Sequence, residues 1–256
     1  MRKARQTFEK YIQNYNPSNP KINLKIIHTY EVVSVAEYIA QAQNLNEEDF
    51  CLAQIISLLH DIGRFEQLTR HNSFADSICN HAELGVEVLL ENNFIDEFGV
   101  PKHLQDIVIY AIKNHNKYKI EPAPTPRHEL HVNIVRDADK LDNYRVKTTE
   151  AFETMFDISY VEFRKENITS KIYDDFSNHK LIFHPDRKTH LDMWLSYIAF
   201  IFDLNFKASY AWIEENDYIN RVMSRVSLAQ ENEEKKYREL QKKAQDFVSQ
   251  NAQGVV

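Results

Sequence analysis

Apolar positions recur at helical spacing along most of the chain, broken by short polar stretches. After Pro17 and Pro20, INLKIIHTYEVVSVAEYIAQAQ sets Ile26, Ile27, Val33, Ala36, Tyr38 and Ile39 on a helical period, with His28 near its start. A second helix opens at Asn46, which with Asp49 resembles a capping box, and its apolar run FCLAQIISLL ends abruptly in His60 and Asp61. Gly63 is placed to end that helix. From Arg64 to Asn80 the text is irregular and rich in Asn, Ser and Asp, and reads as a loop over a site. HAELGVEVLLENN resumes a helix at or just before His81. PKHLQDIVIYAIKNHNKY carries Pro101 in a first-turn position and His115 at its far end. The proline-rich KIEPAPTPRHE is a further loop, and the helix after it contains Asp139.

Beyond about Ile158 the pattern turns aromatic. Trp194, Tyr197, Ile198, Ile201 and Phe202 form a stripe at helical spacing that reads as core. The last segment, from 229 to 256, is charged with sparse apolar residues and is expected to be a solvated helical tail with a frayed end. With only four glycines and seven prolines in 256 residues, the chain lacks the turn residues of an antiparallel sheet protein. The expected fold is all-α, a helical bundle over 20–150 with a C-terminal helical lobe over 151–228 packed on that core.

A buried ionised carboxylate is costly unless it is paired or bound to a cation. Asp61, at the end of an apolar segment and beside an imidazole, therefore asks for a partner, and both groups are ligands for first-row metals. His28, His60 with Asp61, His81, His115 and Asp139 each lie in or at the end of a different apolar helix, so a bundle can bring them to one centre. Gly63 allows a sharp turn beside the pair, and Gly85 allows close helix approach.

The sequence LLHDIGRF, flanked by IIHTYEV and VRDADKLDN, resembles the HD-domain superfamily of metal-dependent phosphohydrolases. Its signature of an early His, an adjacent His-Asp pair and a distant Asp is matched by His28, His60, Asp61 and Asp139. NHAELG and AIKNHNKY resemble the extended form, whose two further histidines are matched by His81 and His115. The resemblance implies an HD-domain helical bundle with a dinuclear site. Asp61 would bridge two divalent transition metals (Fe, Mn, Co or Zn), with His28, His60 and Asp139 on one and His81 and His115 on the other. The GYP tripeptide of the cyclic-di-GMP phosphodiesterase branch is absent.

The activity so implied is hydrolysis of a small phosphorylated substrate, a phosphomonoester or phosphodiester and by expectation a nucleotide, through a metal-activated hydroxide. Arg64 and Lys140 are the cations expected to act with Asp61 in catalysis, ahead of Lys113, Lys117 and Arg145. His71 is a weaker candidate, and His128 and His131 are read as an exposed helix start. Two other readings stand beside this one: a diiron oxygenase using the same six ligands, and a non-catalytic nucleotide-sensing module. The net charge of −7 argues against a nucleic-acid polymer as partner. Two cysteines, no secretory leader and no apolar run of membrane-spanning length make the cytoplasm the expected location.

Overall fold

The computed structural model describes residues 1–253, and every regular element among them is helical. The chain divides into two compact units, Met1–Asp139 and the part from Lys140 onward. The first holds α1 (Arg2–Ile12), α2 (Pro20–Ala42), α3 (Glu47–Leu59), α4 (Ile62–His71), α5 (His81–Leu90) and α6 (Gln105–Asn114). The division falls within α7 (Pro126–Thr149).

Three asparagines start three of the helices that carry candidate residues. Asn19 accepts from the Lys21 N–H ahead of α2, Asn46 from Asp49 ahead of α3, and Asn80 from Ala82 and Glu83 ahead of α5. Each satisfies backbone donors that a first turn leaves open, for about 1 kcal/mol per cap. α3 is buried continuously from Leu52 to Leu59, because α2 and other elements of the unit cover it on several sides. Phe8 and Phe65 anchor an aromatic cluster with Tyr11, Tyr15 and Tyr30.

The stretch from Arg64 to Asn80 is not all loop. Helix α4 runs to His71, with Ile62, Phe65 and Leu68 buried at three-residue spacing and exposed residues only at its end, from Thr69 to His71. Only the part after Asn72, itself in the left-handed conformation, is irregular. Gly63 does not end α3 either. α3 closes at Leu59 and His60, a single break occurs at Asp61, and Gly63 lies in the first turn of α4. Its lack of a side chain serves packing: a Cβ there would stand 2.2 Å from the His81 carbonyl oxygen and 2.5 Å from the Gly85 nitrogen.

The second unit contains α8 (Phe152–Phe156), α9 (Tyr160–Phe163), α10 (Ser170–Ser177), α11 (His190–Ile198), α12 (Lys207–Glu215), α13 (Tyr218–Met223) and α14 (Glu231–Ala252). Phe152, Phe156, Phe163 and Trp194 pack ring against ring. Of the predicted stripe, Trp194, Ile198 and Ile201 are fully buried. The expectation of a solvated tail is corrected here: α14 buries Tyr237, Leu240, Ala244 and Val248 along one side, and the Trp194 indole donates to the Tyr237 hydroxyl at 2.9 Å. Burial of each large side chain in that stripe contributes about 1.5–3 kcal/mol, enough to hold the helix in the unit despite its charge. The frayed end lies outside the described residues.

Candidate metal centre

The apolar run of α3 delivers His60 and Asp61 to the interior of the first unit, where both are at most 2 % exposed. The two carboxylate oxygens of Asp61 face different ways. Oδ2 lies 3.6 Å from His28 Nε2 and 3.5 Å from His60 Nε2, while Oδ1 lies 3.2 Å from His81 Nε2 and 3.8 Å from His115 Nε2. Two groups of potential ligand atoms result, His28 with His60 and Asp61, and Asp61 with His81 and His115. Asp139, on α7, brings Oδ1 to 3.1 Å from His28 Nε2 and 4.0 Å from His60 Nε2. All six residues matched to the sequence signature thus converge.

The imidazoles are held in one tautomer by their outer nitrogens. His60 Nδ1 donates to the Ser57 carbonyl at 2.6 Å and His115 Nδ1 to the Ile112 carbonyl at 2.7 Å, and a carbonyl can only accept. His81 Nδ1 donates to Asp76 at 2.6 Å. In its neutral form each ring then turns an Nε2 lone pair inward, the arrangement in which outer hydrogen bonds orient metal-binding histidines. His81 Nε2 and His115 Nε2 stand 3.0 Å apart, and two lone pairs at that distance have no hydrogen bond to make. His60 Nε2 is buried with no hydrogen-bond partner. Inward lone pairs around a shared carboxylate fit a divalent cation, and the nitrogen and oxygen donors suit first-row transition metals.

Electrostatics keep these groups in ligating form. Burial would raise the Asp61 carboxyl, but its neighbours, the Lys25 ammonium foremost, outweigh it and hold it well below the usual carboxylate range. Burial is likewise overcome at Asp139, mainly by the bond with His28, and at Asp76, mainly by the bond with His81. His81 itself is lowered, first by burial and then by Arg64, and so stays neutral near pH 7.

Around the centre the predicted cations separate. Arg64 is in place, with Nε 3.5 Å from Asp61 Oδ1 and no hydrogen-bond partner for that buried N–H, while Nη1 is held by Gln67, the Phe74 carbonyl and Asp76. Lys140 is paired within the second unit: its ammonium meets the carboxylate of Asp203 at 2.5 Å and the Asp203 carbonyl at 2.8 Å, so its charge is already compensated. Lys113 and Lys117 pair with Glu121, and Arg145 with Asp142. His71 is an exposed residue at the end of α4. His128 and His131 are buried rather than exposed. His131 Nε2 and Arg127 Nε both donate to Asp49 in the first turn of α3, and His128 faces Asp106, so they join helices within the first unit.

Two contributors escaped the sequence reading. Lys25, one turn ahead of His28 on α2, places its ammonium 2.5 Å from Asp61 Oδ2. The i, i+3 spacing to His28 was the available signal. Asp76 lies in the polar segment after α4, and no local pattern marks it.

An all-helical bundle closing on a buried histidine and aspartate centre defines a helical metal-binding domain. Residues 26–144 match the family model of the HD domain. The matched stretch contains all six converging residues and is similar to the HD domain. No curated protein and no solved structure matches the chain. No helix among the described residues is long and apolar enough to cross a membrane.

Proposed function

We propose that the protein is a phosphoric ester hydrolase with two divalent transition metals, Fe, Mn, Co or Zn, acting on a small phosphorylated molecule, with a nucleotide as the favoured class. The observation that carries this reading is the division of Asp61, each of whose oxygens faces its own pair of imidazole Nε2 atoms. His28, His60 and Asp139 would complete one position, and His81 with His115 the other. When bound, such a pair of cations supplies Lewis acidity and lowers the pKa of water toward neutrality.

The remaining work falls to side chains of the chain. Asp61 fixes the two positions relative to each other. Arg64 presents an unused Nε–H beside Asp61 Oδ1, suited to a non-bridging phosphoryl oxygen on which charge develops. Lys25 presents its ammonium on the Oδ2 side and takes the place that sequence reasoning gave to Lys140. Asp76 holds both His81 and Arg64, so it orients a ligand and a phosphate-binding group together.

The test is metal analysis of natively purified protein, followed by assay of metal-loaded protein on nucleotides, phosphomonoesters and phosphodiesters. Two metals per chain and metal-dependent phosphate release are expected. Full metal occupancy without hydrolysis of any ester would overturn the proposal, and substrate-dependent oxygen uptake by iron-loaded protein would replace it with oxygenation.

A further inference from the structure

The approach to Asp61 carries a cation, Lys21, that is set against no carboxylate. Lys21, Lys25 and His28 follow at i, i+4 and i+7 along α2 and therefore share one side of the helix. Lys25 reaches Asp61, while Lys21, a turn further from His28, donates to the Asn72 carbonyl at 3.0 Å. Arg64 joins them from α4. The charged ends of Lys21, Lys25 and Arg64 lie 5.9, 5.7 and 5.8 Å from the centre of the Phe74 ring, so one partly exposed ring collects three cations.

The acids within reach are already shared. Asp61 serves Lys25 and Arg64 as well as four imidazoles, Asp76 serves Arg64 and His81, and Asp139 faces His28 and His60. Lys21 is given a backbone carbonyl and a ring face, neither of which neutralises it. Two lysines one helical turn apart repel each other, and a nearby guanidinium adds to that repulsion. Divalent cations at the centre would raise the positive charge further. An anion with charge on two adjoining groups relieves this arrangement better than a single phosphate does.

We infer that the substrate carries a diphosphate group, with one phosphate at the Asp61 centre against Arg64 and Lys25 and the adjoining phosphate received by Lys21 beside Phe74. The inference rests on the reading of the site as a phosphohydrolase and narrows its substrates to nucleoside diphosphates, triphosphates and related diphosphate esters. Lys21 is then a specificity-determining residue, and the ring of Phe74 is the surface on which the three cations are gathered.

Calorimetric titration of manganese-loaded protein with the non-hydrolysable pair methylenediphosphonate and methylphosphonate tests this, with metal content measured before and after. The diphosphonate is expected to bind about tenfold more tightly, one charge-assisted contact's worth. Lys21→Gln should bring the ratio near one, and Lys21→Arg should retain it, both variants keeping wild-type circular dichroism and metal content. Equal affinities in the wild type, or a ratio that Lys21→Gln leaves intact, would overturn the inference. So would a loss of both affinities together in Lys21→Gln. A Lys21-dependent preference without hydrolysis of any ester sinks the catalytic reading and keeps this one, whereas hydrolysis of monoesters with no preference does the reverse.

Discussion

The two sides of Asp61 are built differently. On the Oδ2 side, His28 and His60 are joined by a second carboxylate, Asp139, and all three come from long helices, α2, α3 and α7, or their ends. On the Oδ1 side, His81 and His115 share only Asp61, and the extra carboxylate, Asp76, stands behind His81 on its Nδ1. A dication among two imidazoles, Asp139 and the shared Asp61 would meet more negative charge than one among two imidazoles and the same shared carboxylate. The first side reads as a self-sufficient position. The second depends on α5, on the segment after α4 and on whatever anion completes it.

That contrast can be broken most decisively at the shared residue. Asp61→Asn removes the charge common to both sides and takes from Lys25 its carboxylate partner. Metal content should fall to near zero and hydrolysis by about 10³-fold or more, judged against typical losses at electrostatically stabilised centres. Retention of one tightly bound metal would show that the carboxylate is not shared.

A smaller effect separates the sides. His115→Ala should leave one metal per chain, held on the Oδ2 side, while His60→Ala should lose the metal that resists chelators longest. Equilibrium dialysis against a graded chelator series reads both, and identical losses in the two variants would mean that the positions fill and empty together.

The mildest change lies outside the ligand set. Asp76→Asn keeps an acceptor for His81 Nδ1 but weakens its charge, and should lower affinity on the Oδ1 side by about 10-fold to 100-fold, the usual cost of losing an outer partner of a ligating histidine. An equal loss on the Oδ2 side, followed by the same dialysis, would erase the asymmetry.

Helical content could be read from the sequence because scarce glycine and a helical apolar period exclude a sheet. The six converging residues came from the likeness of LLHDIGRF and its flanking segments to the HD-domain signature, Asp139 on that likeness alone. Lys25 did not stand out, since a lysine on a helix ordinarily marks the solvent side, and only the fold brings it to Asp61. His131 was misjudged from its polar flanks, although its ring is fully buried against α3 through Asp49. The apolar spacing of Tyr237, Leu240, Ala244 and Val248 was present in the sequence, but the surrounding charges masked it. Asp76 is a matter of chain path alone.

The contact at Gly63 bears on how such a centre is inherited. Its missing methyl group lets α4 lie against the start of α5, where any Cβ would meet the His81 backbone at 2.2 Å. Every larger residue at 63 would have to push back the helix that begins with His81. The step between a centre with two candidate positions and one with a single position is therefore as small as one carbon atom, at a residue outside the six that converge. Among descendants of this chain, the arrangement on the His81 side can be lost through a mutation that leaves all six converging residues unchanged.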